Sequence, residues 1–254
     1  MIRVENIYKG FNGTPVIKDV SAEFQSGQTN LIIGKSGSGK TVLVKCMVGL
    51  FEVDSGSVFY GDRNFTTMSR KERRNLRTEI GMLFQGGALF DSMSVERNVS
   101  FPLDMFTSKT RKEKLHRVNE VLERVNLSGV NDRFPSEISG GMQKRVGIAR
   151  AIVLNPKFLF CDEPNSGLDP LTAMVIDQLI QEITEEYNIT TVINTHDMNS
   201  VMEIGENILL IHKGEVAWRG TKDQVLHANE PELEDFIFAS SFLQEAKAAM
   251  LGKK

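Results

Sequence analysis

Apolar and polar residues alternate over part of the first fifty residues of the chain. The alternation is clearest over 20–24, and the apolar pair Val16-Ile17 precedes this segment. The pattern is interrupted by two turn signals, Asn12-Gly13 and Ser26-Gly27. A period of two places alternate side chains on one face of a pleated strand. The pattern therefore predicts β-strands here, followed by a short buried strand over 31–33.

Beyond this point, apolar runs typical of buried strands alternate with segments of helical spacing. Strands are predicted at 158–161, 190–194 and 208–211. Helices are predicted at 41–49, 69–77, 108–126 and 170–187. Asp169 is suited to cap the last of these helices, and Pro170 fits its first turn. Such alternation predicts an α/β fold with a mostly parallel sheet, interrupted by a largely helical segment over roughly 90–155.

The composition narrows the classes of partner and compartment. With 30 basic and 33 acidic residues the net charge is −3, so no nucleic-acid partner is expected, because such a protein usually carries a basic surplus. The apolar runs reach four residues, whereas a membrane span needs about 20, so none is predicted. Cys46 and Cys161 lie in apolar stretches and are expected to be buried thiols, neither disulfide-bonded nor zinc ligands.

A glycine-rich loop follows the predicted strand over 31–33. It reads Gly34-Lys35-Ser36-Gly37-Ser38-Gly39-Lys40-Thr41 and fits the phosphate-loop pattern G-x-x-x-x-G-K-[ST]. Glycines let the backbone curl so that its N–H groups point at phosphate oxygens, and the N-terminus of the following helix adds positive potential. Lys40 is then placed to reach the β- and γ-phosphates of a nucleotide, and the Thr41 hydroxyl to ligate Mg²⁺.

Two adjacent carboxylates, Asp162 and Glu163, end the predicted strand over 158–161. Open α/β sheets bind their ligands at the carboxyl ends of the strands. We expect Asp162 to hold Mg²⁺ through water, and Glu163 to act as the general base that polarises an attacking water. Without the phosphate loop, the pair would fit a strand end with two solvated acids equally well.

A second turn suited to anions is predicted at Ser139-Gly140-Gly141. It opens a helix whose apolar face runs from Met142 to Val153, and Asn155-Pro156 ends this helix. Free backbone N–H groups at a helix N-terminus attract phosphate. By itself the turn also fits a simple helix cap, and a nucleotide bound by two separate helix termini requires a further explanation.

Together these segments resemble the nucleotide-binding subunit of ATP-binding cassette (ABC) transporters over nearly the whole chain. The family order is kept by the phosphate loop, Ser139-Gly140-Gly141, Asp162-Glu163, Ser166-Gly167-Leu168-Asp169 and His196. The resemblance implies an α/β phosphate-loop NTPase fold: an ABC cassette with a mostly parallel sheet core, an N-terminal antiparallel β subdomain and a helical signature subdomain. It implies one ATP-binding domain over 1–254, with the helical subdomain over roughly 90–155 and a C-terminal helical extension over roughly 231–251.

The resemblance also implies ATP and Mg²⁺ as ligands, and ATP hydrolysis coupled to transport as the reaction. Two copies of the chain would face each other head to tail. Each ATP would then lie between the phosphate loop of one copy and Ser139-Gly140-Gly141 of the other, which accounts for the two helix termini. Met142 departs from the family, which most often has Gln there. A turn that binds through Ser139 and the amides of Gly140 and Gly141 should tolerate this difference.

Further positions receive roles by resemblance. Gln85 corresponds to a glutamine near Mg²⁺ and the attacking water, and is therefore both a catalytic and a metal-site candidate. His196 corresponds to the histidine that contacts the γ-phosphate. Phe11 matches the aromatic residue that stacks on adenine; Tyr8 is the competing candidate, and either could belong to the core. Asp169 matches a loop that contacts the opposite subunit.

Shorter strings narrow the resemblance to the ATPases of Mla/Mce-type lipid-trafficking systems. These strings occupy 81–91, 98–103, 139–142 and 226–229. The implied partners are an integral-membrane permease, a lipid-binding substrate protein and a small accessory subunit, at the cytoplasmic face of the inner membrane. The alternatives are the ATPase of an importer for a small solute and a soluble ABC ATPase without a transport role.

Two apolar segments are candidate contact sites. Ala88-Leu89-Phe90 follow Gln85 and fit either a groove for a cytoplasmic helix of the permease or ordinary core packing. The predicted C-terminal helix carries more apolar residues than one narrow stripe can bury: Leu233, Phe236, Ile237, Phe238, Phe242 and Leu243. It is expected to pack either on its own cassette or against a second copy or an accessory subunit.

Overall fold

The computed structural model describes residues 1–225 and 227–238. The strands in these ranges are β1 (Ile2–Phe11), β2 (Thr14–Phe24), β3 (Thr29–Ile33), β4 (Ser55–Tyr60), β5 (Arg63–Asn64), β6 (Ile80–Leu83), β7 (Phe158–Asp162), β8 (Thr190–Asn194), β9 (Asn207–His212) and β10 (Glu215–Gly220). The α-helices are α1 (Lys40–Met47), α2 (Arg70–Arg77), α3 (Val95–Phe106), α4 (Arg111–Arg124), α5 (Gly140–Ile152), α6 (Pro170–Glu186), α7 (Met198–Ile204), α8 (Lys222–Val225) and α9 (Pro231–Ile237). Short 3₁₀ turns occupy Phe65–Thr67 and Pro135–Glu137.

The chain divides into two compact units, and the first comprises Met1–Thr67 and the described residues from Asn194 onward. Its antiparallel sheet has the strand order β2-β1-β4-β5, with Ile2 paired to both Phe24 and Tyr60. In the same unit, β3 pairs in parallel with β9, which pairs antiparallel with β10. The antiparallel N-terminal sheet is confirmed.

The two strands predicted around residues 16–24 form a single strand, β2. Asp19 within it has φ 53°, and the register of β2 against β1 shifts nearby. A left-handed residue interrupts the alternation of side chains without ending the strand. This explains why the sequence pattern looked like two strands.

The second unit is Met68–Ile193. Strands β6 and β7 pair in parallel, with Ile80 opposite Phe158, and β8 lies on the other side of β7. Helix α5 packs against α3, α4 and β6. All five residues of β7 are buried, as expected for a strand covered on both faces. The α/β class with antiparallel and mostly parallel sheets plus helices is confirmed.

Helix boundaries follow the capping signals. The Ser69 and Thr110 side chains form capping boxes at the starts of α2 and α4. Asp169 caps α6, as predicted, by accepting a hydrogen bond from the Thr172 N–H at 3.0 Å, and Pro170 takes the first helical position. Thr172 lowers the pKa of the Asp169 carboxyl by donating its hydroxyl and its N–H.

The start of the predicted C-terminal helix packs on its own unit. Leu233, Ile237 and Phe238 are buried, and α9 contacts β10. The remainder of the predicted extension, with Phe242 and Leu243, lies outside the described residues, as does Leu226.

The structure also bears on the expected absence of a membrane span and on the state of the two cysteines. Over residues 1–225 and 227–238, the structure has no helix with the length and apolar character that crossing a bilayer requires. Cys46 and Cys161 are free thiols and are buried, as predicted. Burial raises the pKa of the Cys46 thiol to about 11.

Candidate active site

The phosphate-loop segment forms a tight turn between β3 and α1 in the first unit. Gly34 has φ 146°, and a Cβ there would lie 2.3 Å from the carbonyl oxygen of Ile211. The Gly214 N–H donates to the carbonyl oxygen of Ser38 at 3.0 Å, which ties the loop to the end of β9. A side chain at Gly34 would clash with the carbonyl oxygen of Ile211, so the geometry of the loop depends on glycine at this position.

The start of α1 lacks a side-chain cap, because Gly39 occupies the N-cap position. Lys40 is buried, and its Nζ donates to the carbonyl oxygens of Gly34 at 2.7 Å and Lys35 at 3.2 Å. The buried Ser38 Oγ has no hydrogen-bond partner within the described part of the chain. An uncapped helix start, a buried ammonium and an unpartnered hydroxyl together suit an anion with several oxygens, such as a polyphosphate.

A second segment of the same unit meets the start of α1. Asn194, the last residue of β8, donates from Nδ2 to the Thr41 Oγ1 at 3.0 Å. The Thr195 N–H donates to the carbonyl oxygen of Ile32 at 3.1 Å, and the next residue, His196, is exposed. The candidate metal ligand Thr41 and the candidate histidine are thus connected through Asn194. Sequence analysis missed Asn194, although a polar residue ending a fully buried strand is a usable signal.

In the second unit, the structure brings Gln85 and Glu163 together. The Gln85 Nε2 donates to the Glu163 Oε2 at 2.9 Å, across 78 positions of sequence. Glu163 has φ 48°, an uncommon conformation for a residue other than glycine. Its neighbour Asp162 is buried at the end of β7. The pairing of a strand-end carboxylate with a side-chain amide suits the orientation of a water molecule next to a general base.

A lysine that sequence analysis did not single out lies beside these carboxylates. Lys144, on α5, is 4% exposed, and its Nζ donates to the main-chain oxygen of Glu163 at 3.4 Å. Burial lowers the pKa of the Lys144 ammonium, and the nearby Cys161, Glu163 and Asp162 act in the opposite direction. Its sequence signal is a charged residue on an otherwise apolar helix face.

The segment after Gln85 is held by an arginine of α5. Gly87 and Ala88 have left-handed backbones, with φ 79° and 45°. Arg150 donates from Nη2 to the carbonyl oxygen of Gly87 at 2.7 Å and from Nη1 to that of Ala88 at 2.8 Å. The planar guanidinium can grip two neighbouring carbonyls in this way. The conformation of this segment therefore depends on α5.

An apolar groove of about 420 Å³ lies beside this segment, within the second unit. Ala88 and Phe90 line it, together with residues of α3 and β6. The Phe90 and Phe101 rings lie 4.9 Å apart. Leu89 is half-buried and is not among the lining residues. Of the three apolar residues for which either a partner groove or core packing was expected, two line the groove.

The predicted second anion turn opens α5. Ser139 caps the helix, its Oγ accepting from the Met142 N–H at 3.3 Å, and Ser139 and Gly140 are exposed. A Cβ on Gly141 would lie 2.7 Å from the Thr172 Cγ2, so the turn contacts the start of α6. The exposed face of the turn is available to a ligand or to another protein chain.

The two adenine-stacking candidates both lie on β1 and are both partly exposed. Phe11 is 40% exposed and Tyr8 42%, so neither is a core residue. Phe11 packs edge-on against Phe51, with ring centroids 5.2 Å apart, and the Lys9 Nζ lies 5.3 Å from its ring centre. An exposed aromatic ring with a nearby cation suits a planar base that carries phosphates.

The described residues fit Mg²⁺ bound together with a nucleotide. The Thr41 hydroxyl in the first unit and the Asp162 carboxylate in the second each carry a hard oxygen of the kind that Mg²⁺ prefers. Over residues 1–225 and 227–238, no group of three or more His, Cys, Asp and Glu side chains is arranged to hold a metal ion. Mg²⁺ is commonly bound by one or two protein ligands plus substrate phosphates, so binding with a nucleotide does not require a larger group of protein ligands.

The chain matches a family model and many known proteins. Residues 17–166 match the model described as ABC transporter. The probable ribonucleotide transport ATP-binding protein mkl of Mycobacterium leprae is 37% identical over 236 residues, which are 93% of this chain and 68% of that protein. The methionine import ATP-binding protein MetN of Campylobacter jejuni is 38% identical over 261 residues, covering 96% of this chain and 78% of that protein.

Solved structures of ATP-binding cassettes share the fold. One is a dimeric cassette in a post-hydrolysis state with ADP and Pi, with a TM-score of 0.80 and 29% identity over 87% of this chain and 99% of that one. Another is cbiO1 of Clostridium perfringens, part of the ABC transporter complex cbiONQ, with a TM-score of 0.83 and 29% identity over 98% of both chains. This chain therefore belongs to the ABC transporter family, and it is an ATPase cassette that binds ATP with Mg²⁺.

Proposed function

We propose that this chain hydrolyses ATP for a membrane transporter that moves phospholipids or other lipids between membranes. The hydrogen bond between Gln85 and Glu163, at 2.9 Å, is the observation that carries the hydrolytic part. It directs a glutamine amide at the carboxylate that we assign as the general base. A base must be held in one orientation to take a proton from an attacking water.

Each site residue has a separate task in this proposal. The loop 34–41 binds the phosphates through its N–H groups and the Lys40 ammonium. Thr41, Asp162 and Gln85 would hold Mg²⁺, which would offset the negative charge of the phosphates. Glu163 takes the proton of the attacking water, and His196 contacts the γ-phosphate. Phe11 stacks on adenine, with Tyr8 as the alternative.

A second copy of the chain completes each site. Ser139, Gly140 and Gly141 of one copy bind the phosphates held by loop 34–41 of the other. The exposure of Ser139 and Gly140 supports this arrangement, because their polar groups are accessible to another chain. Binding of ATP then favours the closed dimer, and hydrolysis weakens the bridge between the copies.

The lipid substrate is supported by the resemblance of segments 81–91, 98–103, 139–142 and 226–229 to ATPases of lipid-trafficking systems. The proposed partners are an integral-membrane permease, a lipid-binding protein and a small accessory subunit, at the cytoplasmic face of the inner membrane. An importer of a small solute is the second candidate, because relatives carry names for methionine import and ribonucleotide transport.

Two variants test the hydrolytic roles. Glu163→Gln keeps the shape of the side chain but removes the base, so ATP turnover should fall by about 10²–10⁴ while ATP still binds. Lys40→Ala should instead weaken ATP binding, because it removes the buried ammonium. Both are measured as ATP turnover and nucleotide affinity. Parental turnover in Glu163→Gln would contradict the assignment of the base.

The substrate is tested with the purified transporter complex in detergent micelles without phospholipid. We expect its ATPase rate and its lipid content to depend on added phospholipid, while methionine and ribonucleotides leave both unchanged. Stimulation by methionine or ribonucleotides with no effect of phospholipid would favour the importer.

A further inference from the structure

We propose that Lys144 is a positioning residue for hydrolysis: its ammonium holds the main chain of Glu163 and thereby sets the direction of the Glu163 carboxylate. The inference rests on the proposed role of Glu163 as the general base. It adds a residue that does not touch ATP or water but acts through the base.

The burial of Lys144 is the first observation. Lysine is rarely buried unless a partner satisfies its ammonium. Lys144 is 4% exposed, and its Nζ donates to the carbonyl oxygen of Glu163 at 3.4 Å. A buried lysine directed at the backbone of one residue restricts that residue more than a solvated side chain would.

The backbone of Glu163 is the second observation. Its φ of 48° lies in the left-handed region, which residues with a Cβ adopt at a cost in free energy. Its carbonyl oxygen accepts from both the Lys144 Nζ at 3.4 Å and the Ser166 N–H at 3.2 Å. Relaxation of φ to the ordinary region would turn this carbonyl away from its donors. The two hydrogen bonds therefore stabilise the uncommon conformation.

The third observation is that both ends of Glu163 are held separately. Lys144 holds its main chain, and the Gln85 Nε2 holds its carboxylate at 2.9 Å. A change of φ would displace the carboxylate from Gln85, because rotation about the N–Cα bond moves the side chain and the carbonyl group together. Loss of the Lys144 contact should therefore slow proton abstraction without removing the base itself.

Helix α5 connects these contacts to the rest of the second unit. It begins beside Ser139, carries Lys144 one turn later, and carries Arg150 near its end, bonded to the carbonyls of Gly87 and Ala88. One helix thus bonds both to Glu163 and to the segment that follows Gln85. A change in the position of α5 reaches the base through Lys144.

The test uses the full-length chain with Lys144→Met, which keeps the length of the side chain and removes its donor. We expect kcat for ATP hydrolysis to fall by about 10-fold, the KM for ATP to change by less than about twofold, and the ATP-bound dimer to accumulate. Lys144→Arg retains a donor and should restore most of kcat. Unchanged kcat in Lys144→Met would overturn the proposal.

A matched control separates positioning from helix stability. Arg117 donates from Nε to the carbonyl oxygen of Val153 at 3.0 Å and from Nη2 to that of Ile152 at 3.2 Å, at the far end of α5. Arg117→Met should lower the melting temperature but leave kcat at the parental value. An equal loss of kcat in both variants would mean that Lys144 serves only the stability of the helix, which overturns the proposal.

The Glu163→Gln background separates this inference from the proposed function. If Lys144 acts through the base, Lys144→Met should reduce kcat no further in Glu163→Gln; an additional 10-fold loss there would overturn the inference. Parental activity of Glu163→Gln alone would instead contradict the proposed function. If Lys144→Met does not fold, Lys144→Gln replaces it as a shorter donor. A partial loss of kcat in that variant supports the inference, and no loss overturns it.

Discussion

Single residues of the phosphate loop show how backbone conformation limits the choice of side chain. Gly39 has φ 110°, which residues with a Cβ rarely adopt. A Cβ there would also lie 2.7 Å from the Ile17 Cδ1 and 3.1 Å from the carbonyl oxygen of Val16. The backbone conformation and the close contacts thus both require glycine at position 39, which is also the N-cap that leaves the first N–H groups of α1 without a side-chain cap. The shape of the loop and its ability to bind an anion therefore depend on the same residue.

We therefore expect Gly39→Ala to be more destabilising than the same change at an open turn. Gly13 has φ 78° and no atom within 4 Å of the Cβ position, which makes it a matched control. Backbone strain alone should lower the unfolding free energy of Gly13→Ala by about 1–2 kcal/mol. Gly39→Ala should lower the unfolding free energy by about 3 kcal/mol or more, and it should also weaken ATP binding. Urea denaturation measures both variants. Equal losses would show that the contacts around Gly39 relax without cost.

At the level of elements, α3, β6 and the segment after Gln85 form one apolar groove. Phe106, at the end of α3, lines it and is 40% exposed, whereas the neighbouring Met105 is 54% exposed and lies outside the lining. An exposed aromatic ring in a groove suits an apolar helix of another protein. Under the proposed function, that helix belongs to the permease.

Phe106→Glu should release the permease without unfolding the subunit, because the side chain is already partly solvated. Loss of one buried Phe contact corresponds to about 1.5–3 kcal/mol, or roughly 10- to 100-fold in affinity. Met105→Glu is the control on the same helix and should keep parental affinity. The measurements are permease pull-down and thermal melting. Equal weakening by both variants would point to general charge repulsion instead of docking in the groove.

For the whole molecule, the proposed dimer has two sites, each built from both copies. The phosphate loop and the turn 139–141 belong to different units of the chain. A variant in either segment therefore damages both sites of its own homodimer. In a mixed dimer, however, the two lesions fall in one site and leave the other complete.

Mixing the full-length chains Lys40→Ala and Ser139→Arg should therefore restore ATPase activity that neither has alone. Each lesion removes one side of a composite site, and the mixed dimer keeps one phosphate loop and one turn that face each other. The expected recovery is up to about half of the parental rate per mixed dimer, measured as a function of the mixing ratio. The absence of recovery, with mixed dimers shown to form, would contradict a composite site.

Local features of this protein follow from the sequence by itself. The glycines of residues 34–41, the cap Asp169 and the apolar run 158–161 of β7 determine their conformations within a few residues, because backbone sterics, capping and burial act over short distances. This explains why strands β3, β7, β8 and β9 and helices α1, α2, α4, α5 and α6 could be predicted.

Contacts between distant positions required the tertiary structure. The hydrogen bonds from Gln85 to Glu163 and from Asn194 to Thr41 span 78 and 153 positions. The hydrogen bond from the Lys144 Nζ to the main-chain oxygen of Glu163 likewise depends on how α5 packs. Such contacts depend on strand pairing and helix packing, which no local pattern of residues encodes. These contacts determine that the Glu163 carboxylate is oriented, and that Gln85 and Lys144 orient it.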